Sequence, residues 1–476
     1  MNCYKYLIKN IGLLTLSSFA TKLISFILVP LYTNILTTTE YGTYDYFNTT
    51  IGLLIPILTL NIQEAVMRFS IDTKWDRKSI VTVATRYLLF SNMFVIVGLL
   101  LNNLIGFSEI VKQYPMYFFL MFFSQSLSGM ITMYVRGIDK ITELSLSSLV
   151  AAIITILLNV FFLAFFHLGL TGYFLANIIG PLFQSLYLII KSKAIRDIRF
   201  KKKYKNEAKD MINYSRPLIA NSISWWINNA SDRYIVIFFC GLAENGIYSV
   251  ASKIPSILNI FQTIFNQAWT LSAVKDFDPE DSNGFFTNTY RVYNCMLVVV
   301  CSVIIVCDKI LANFLYAKDF FTAWRYVPWL TIAILFGALS GYIGGLFAAV
   351  KDSKIFAKST IYGAITNIVL NLIFTPFIGA SGAAIATTIS YFEVWVFRYW
   401  QSTKYVKMRI NIIRDIFSYL LLICQSIVLL CNFQNITLYF FEILLFIIIL
   451  LLYSRDVFLL INKVKESITS RGVFKQ

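Results

Sequence analysis

An all-α, polytopic integral membrane bundle is the fold class the sequence predicts, and three observations predict it. Of 476 residues 58% are hydrophobic and only 14% charged, against roughly 25% charged in soluble domains. A soluble chain of this length would need far more charge to cover its cores. The polar remainder gathers in short blocks between long apolar runs, unlike the alternating strands of a membrane barrel. Lys and Arg are also spread unevenly among those blocks, as they are in polytopic helical proteins.

Taken in order, the apolar runs near 20 residues give about fourteen transmembrane spans: 8 to 35, 43 to 66, 80 to 105, 115 to 136, 144 to 166, 169 to 190, 211 to 239, 246 to 270, 288 to 316, 326 to 350, 357 to 376, 380 to 400, 413 to 431 and 436 to 454. The first has a signal peptide's basic flank in Lys5 and Lys9, but it is too long for one and holds Lys22 inside it. Pro30 makes the same span a kink candidate. In the tenth, Gly337, Gly341 and Gly345 recur at four-residue spacing, a smooth strip for close helix packing or, alternatively, a bending point. With both termini in the cytoplasm, 32 of the 41 Lys and Arg fall on the cytoplasmic side, and outside loops keep only Lys112, Lys309, Lys318 and Arg325. The net charge of +16 is therefore mainly a topology signal, with attraction to anionic lipid headgroups second. No soluble domain carries it, so nucleic acid is not an expected partner.

Catalysis and cofactors find little footing. The lone histidine, His167, removes most hydrolase and metal chemistry, which leans on imidazole. The seven cysteines form no C-x-x-C pair and read as apolar packing residues. No dinucleotide, P-loop or zincin motif occurs, so no cofactor and no metal are expected and an ATP-driven pump within the chain is disfavoured.

The densest basic block, Lys191 to Lys209, separates six spans from the next six. It divides the chain into an N-terminal lobe at 1–190, a cytoplasmic linker at 191–210, a C-terminal lobe at 211–400, and a basic loop, two additional helices and a tail at 401–476. Across the linker the sequence echoes itself. Glu40-Tyr41-Gly42-Thr43-Tyr44 returns as Glu244-Asn245-Gly246-Ile247-Tyr248, 204 residues later, and Gly169 and Gly172 return as Gly379 and Gly382, each 210 later, with Asn159 and Asn371 before them. Six spans is an even number, so the halves share one orientation and the repeat is parallel. Two pseudo-symmetric six-helix lobes flanking a central cavity is transporter architecture.

Particular motifs carry a resemblance to a known family. Asn10-Ile11-Gly12 before a Ser/Thr-rich helix, Pro30-Leu31 followed by Glu40-Tyr41-Gly42, Glu64-Ala65-Val66-Met67-Arg68 closing span two, and in span seven Arg216-Pro217, Asn221 through Trp226 and Asp232-Arg233 all resemble the Wzx-type polysaccharide flippases of the multidrug/oligosaccharidyl-lipid/polysaccharide exporter superfamily. The resemblance covers about residues 8 to 400, and the last two spans are similar to that family's extra pair. It implies a fourteen-helix flippase in the bacterial cytoplasmic membrane. Its substrate would be an undecaprenyl-pyrophosphate-linked oligosaccharide repeat unit of O-antigen or capsular type, moved outward by ion-coupled alternating access, with a glycan polymerase and chain-length proteins as pathway partners.

The residues support a hydrophilic passage by themselves. Tyr248, Ser252, Ser256, Asn259, Thr263, Asn266 and Thr270 line one face of span eight, and Asp45, Asn48, Thr59 and Gln63 one face of span two; interhelical hydrogen bonding is the competing explanation. A cation at bilayer depth costs roughly 2.5 to 3.5 kcal/mol and needs a cavity or a partner. Arg86 and Arg216 are near enough to the cytoplasmic end to snorkel; Lys22, Arg233 and Lys253 are deeper. Lys22, Arg216, Arg233 and Lys253 are therefore the candidates for holding an anionic headgroup, since pyrophosphate suits Lys and Arg donors. Asp45, Asn48, Asn259, Asn266, Trp225 and Trp226 are candidate lining, the tryptophans stacking on sugar rings or packing. Glu64 with Arg68 reads as an i,i+4 pair or, with Asp232, as an ion-coupling group. Pro30, Gly42 and Gly246 are hinge candidates. A drug or ion antiporter of the same superfamily and a peptidoglycan-precursor flippase are the alternative functions. A membrane glycan polymerase or ligase is disfavoured by the shortness of the outside loops.

Overall fold

The computed structural model describes residues 19, 21–22, 26–72, 74–202, 204–350, 352–431 and 433–456. Asn10-Ile11-Gly12, Ser18, Ser25 and most of the expected first span lie outside them. Every regular element among the described residues is helical. Among the described residues, nine helices are long and apolar enough to cross a membrane, ten if one bent pair counts as a single span. The expected seventh, eighth and twelfth spans are helical too, at Lys205–Cys240, Ser256–Lys275 and Ala380–Ser402, but they carry more polar side chains. By compactness the chain forms one unit from Met1–Tyr234 with Gly241–Gly246 and another from Ile235–Cys240 with Ile247–Gln476. The compact boundary thus falls later than the basic block that separates the sequence repeats. The 36-residue helix Lys205–Cys240 is about 54 Å long, so its basic start extends well past a hydrocarbon core of about 30 Å.

Two expected spans are broken, each for a local reason. The run 43 to 66 forms Thr38–Leu58 and Ile62–Ile71, bent by 60°. Leu60 and Asn61 take left-handed backbone angles between them, with φ of 51° and 52°, and Pro56 precedes the break inside the first helix. Freed polar groups at membrane depth must be satisfied by protein. Ser215 donates to the Leu60 carbonyl at 2.8 Å and Asn61 donates to Ser222 Oγ at 3.1 Å, two serines seven residues apart on one face of the long helix. The run 246 to 270 likewise forms Leu242–Ala251 and Ser256–Lys275 around Pro255. The continuous polar face expected there is therefore interrupted, because its steps from Ser252 to Ser256 cross a turn instead of a helix.

The repeat has structural content in each unit separately. Gly169 and Gly379 both take positive φ, 55° and 61°, at a helix start, the first as the opening residue of Gly169–Ser192 and the second just before Ala380–Ser402. Asn159 and Asn371 are both buried and both donate to the carbonyl four residues back at 2.8 Å. A Cβ on Gly172 would meet Phe162 Cβ at 2.9 Å, and one on Gly382 the Phe374 carbonyl at 2.6 Å. Matching residues thus do matching jobs.

Between helices in lipid, packing and hydrogen bonds supply the cohesion that water would otherwise drive. In the first unit Phe47, Phe118, Phe122 and Phe174 form one cluster. In the second, the glycine strip of Val327–Ala349 receives the Ser256–Lys275 helix: a Cβ on Gly345 would strike Trp269 Nε1 at 2.6 Å and one on Gly341 would strike Asn266 Nδ2 at 2.8 Å. Trp269 lies over Tyr342 at 4.1 Å and donates to its carbonyl at 2.8 Å. The extra pair, Ile412–Leu430 and Asn435–Leu452, is tied to Phe285–Val306 by polar bonds. Asp456 accepts from Arg291 and Arg414 at 2.7 Å each, and Asn294 joins Tyr453 at 3.0 Å and Tyr419 at 2.9 Å.

Candidate functional site

The first unit's polar centre is built on the helix Thr38–Leu58. Thr37 and Glu40 cap its start reciprocally, which fixes where the first turns lie. Asp45, two turns in, is 5% exposed. Its Oδ1 forms an ion pair with Arg233 Nη1, and its Oδ2 accepts from Asn245 Nδ2 at 3.2 Å. Thr49, one turn on, lies 3.4 Å from the same Arg233 nitrogen. Its carbonyl accepts from Trp226 Nε1 at 2.9 Å, and Thr50 pairs with the Tyr234 hydroxyl at 2.6 Å. Trp226 packs edge-on to Tyr234 at 5.4 Å, and a Cβ on Gly52 would lie 3.8 Å from its ring. Residues 45, 49, 50 and 52 thus zip onto 226, 233 and 234. Such an arrangement is a switchable contact: neutralising Asp45, or offering Arg233 another anion, weakens the pair that joins the two helices.

The duplicated glycines lie just beyond. A Cβ on Gly42 would fall on the Leu242 carbonyl oxygen and 3.2 Å from Gly246 N, while one on Gly246 would fall on the Thr38 carbonyl oxygen and 3.1 Å from Gly42 N. Each glycine is therefore required by reciprocal backbone approach of two helix starts. Both sit inside helices, and no side chain fits at either position. Pro30 sits in the first turn of Val29–Ile35, where its missing N–H costs nothing, and Leu28 before it is a turn residue that interrupts the helix.

Other expected residues are placed differently. Arg233 is not an unpaired headgroup ligand here, since Asp45 answers its charge. Trp226 is a packing residue with its N–H engaged, whereas Trp225 is 58% exposed. Lys22, Arg216 and Asn48 are exposed, the last accepting from Gln125 at 3.2 Å. Lys253 is half-buried in the turn that breaks span eight, Asn259 is half-buried one turn into the next helix, and Asn266 is packed on Gly341. Asp232 accepts from the Arg233 backbone N–H at 2.9 Å. Among the described residues no ion pair joins Glu64 to Arg68. Arg68 is exposed at the end of its helix, where an i,i+4 pair gains only about 0.2–0.5 kcal/mol and water competes.

Sequence reasoning missed Arg398, counted as an ordinary basic residue at a helix end. It is 6% exposed, donates to Ser359 Oγ, the Ser340 carbonyl and Thr360 Oγ1 at 2.8 to 2.9 Å, and lies 4.1 Å from the Phe356 ring. Its partners are neutral and as far as 58 residues away, so no spacing in the sequence signals them.

Comparison with known proteins agrees with this architecture. The family described as polysaccharide biosynthesis protein matches residues 7–271, more than half of the chain. An uncharacterised membrane protein of Methanocaldococcus jannaschii is 25% identical over 294 residues, covering 59% of this chain and 68% of its own. A probable low-salt glycan biosynthesis flippase of Haloferax volcanii is 24% identical over 199 residues, 40% of this chain and 41% of its own. Among solved structures, the lipid II flippase MurJ in an inward closed conformation superposes with a TM-score of 0.69 at 14% identity, over 93% of this chain and 99% of that one. An inward-facing multidrug resistance MATE family transporter of the MOP superfamily gives 0.64 at 15%, over 82% and 94%. At such identities the likeness is one of fold. The chain is a multi-pass membrane protein that shares the fold of these solved structures, and it belongs to the polysaccharide biosynthesis protein family.

Proposed function

We infer that the chain is a flippase for a lipid-linked oligosaccharide, moving an undecaprenyl-pyrophosphate-linked repeat unit of O-antigen or capsular type from the cytoplasmic to the outer leaflet of a bacterial inner membrane. The single observation that carries this reading beyond family membership is the Asp45–Arg233 contact with the Gly42–Gly246 approach beside it. It is a polar, breakable junction between helix ends, which alternating access needs and a static bundle does not. Opening it would release the Arg233 charge toward a pyrophosphate, alongside Lys22, Arg216 and Lys253, while Asp45 is left to take a proton or cation. Both termini would be cytoplasmic, and a polymerase with its chain-length partner would take the product.

The test is complementation. In cells whose repeat-unit flippase is deleted, the wild-type chain should restore surface glycan and deplete lipid-linked repeat units from the inner leaflet. Lys22→Ala, Arg216→Ala and Lys253→Ala should each impair that restoration with normal membrane insertion. Restoration of drug resistance without glycan export would instead favour an antiporter.

A further inference from the structure

At the Lys/Arg-rich end of the first unit lies an open cleft of about 170 Å³ whose lining includes Arg86, Tyr87, Phe90, Tyr204 and Lys205. Arg86 Nη2 donates to the carbonyls of Phe200 and Lys202 at 2.8 and 2.7 Å. The Arg199 N–H meets Thr82 Oγ1 at 2.9 Å. The backbone of the basic linker is thereby folded back across the first turns of the Arg77–Ile105 helix. Arg86 Nε and Nη1 make no hydrogen bond among the described residues, which leaves that side of the guanidinium available. Lys205 shares the cleft, Lys202 lies 5.1 Å over the Tyr204 ring, and no carboxylate is among the described residues that line it. Two cations without a counter-charge in a half-enclosed cleft call for an anion.

The helix says what kind of molecule carries that anion. From Arg86 the steps of 4, 4, 3, 4 and 3 reach Phe90, Phe94, Val97, Leu101 and Leu104, all on one face and exposed by 55, 63, 43, 50 and 82%. From Phe90 to Leu104 the stripe runs for about 21 Å, the order of an extended acyl chain. Apolar exposure alone is what any lipid-facing helix shows; a cationic cleft at the head of the same stripe is specific. We propose that this cleft is a binding site for a lipid phosphate, the phosphate held by Arg86 and Lys205 under the folded linker and the chain lying along the Phe90–Leu104 stripe. The phosphate is that of an anionic phospholipid or of a polyprenyl carrier, which share this chemistry.

The purified full chain, in detergent, is challenged with dioleoylphosphatidylglycerol, dioleoylphosphatidylcholine or undecaprenyl phosphate, and retained lipid is counted by native mass spectrometry. The wild type should retain the anionic phospholipid over the neutral one by on the order of tenfold, and Arg86→Ala with Lys205→Ala should abolish the preference. Because Arg86→Ala also frees the linker, Lys205→Gln alone, which removes only a charge, should reduce the preference several-fold without changing the melting temperature. Displacement of the phospholipid by equimolar undecaprenyl phosphate, in the wild type but not in the double variant, supports the site as a carrier's. Retention of the phospholipid under that challenge supports it as a membrane phospholipid's. Equal retention of both phospholipids by the wild type, or an undiminished preference in Lys205→Gln and the double variant, would overturn the site.

Discussion

Both carboxylate oxygens of Asp45 are engaged, one by Arg233 and one by Asn245, and Arg233 keeps 22% of its side chain exposed. Removing either partner leaves the other's polar group poorly satisfied, at a cost of about 1–3 kcal/mol. Asp45→Asn and Arg233→Ala should therefore each lower the melting temperature, and a double variant should lose less than the sum of the two. Additive losses would mean the pair is not coupled. Glycan export should fall in all three. Arg398 invites a different test, because its three donors are spread in a planar fork over Ser359, Ser340 and Thr360. Lys keeps the charge but not the fork. We expect Arg398→Lys to destabilise by about 2 kcal/mol, read as an earlier thermal transition; an unchanged transition would show that the fork is dispensable. Neither network was legible beforehand. Asp45 and Arg233 were each singled out as membrane charges, but they are 188 residues apart, and only the fold pairs them.

At the scale of elements, the legible features were those with a local cause. Apolar run length placed the helices, and the repeated glycines marked positions that do equivalent work in each half, at Gly169 with Gly379 and at Gly172 with Gly382. What was not legible were the breaks at Leu60-Asn61 and Ser252–Pro255. The first depends on Ser215 and Ser222 supplying hydrogen bonds from another helix, and the hydropathy of the run continues straight through it. Gly42 and Gly246 were found as a motif, but their close approach was not legible, since sequence does not show which glycines another backbone will crowd. Gly42→Val and Gly246→Val should force these helix starts apart and reduce disulfide formation between cysteines introduced at Thr37 and Leu242; undiminished cross-linking would contradict the close approach. A further element-level prediction concerns the cap of Ser353–Ile378. The Tyr405 hydroxyl, donating to Asp352 at 2.8 Å, and the amides of Ile355 and Lys354 hold that carboxyl below the usual carboxylate range. A depressed value stabilises the fold above the unfolded-state pKa and loses that contribution as pH falls through the folded value. Tyr405→Phe should raise the Asp352 midpoint in a carbon-13 carboxyl titration; no movement would show that the tyrosine is not what lowers it.

For the whole molecule, composition and apolar run length were enough to give a helical membrane protein, the internal repeat pointed to a transporter's architecture, and residue motifs pointed to the polysaccharide family. The direction of transport and the identity of the sugar lie in how the helices move and in what a cavity meets, which neither periodicity nor spacing encodes. The central claim is that the junction around Gly42, Asp45, Arg233 and Gly246 opens during export. Its most direct test replaces the native cysteines, Cys240 first because it adjoins the site, and introduces cysteines at Thr37 and Leu242. Oxidation should then join the two positions and stop the appearance of surface glycan, while lipid-linked repeat units accumulate and reduction restores export. A fully cross-linked protein that exports glycan at the uncross-linked rate would contradict the account.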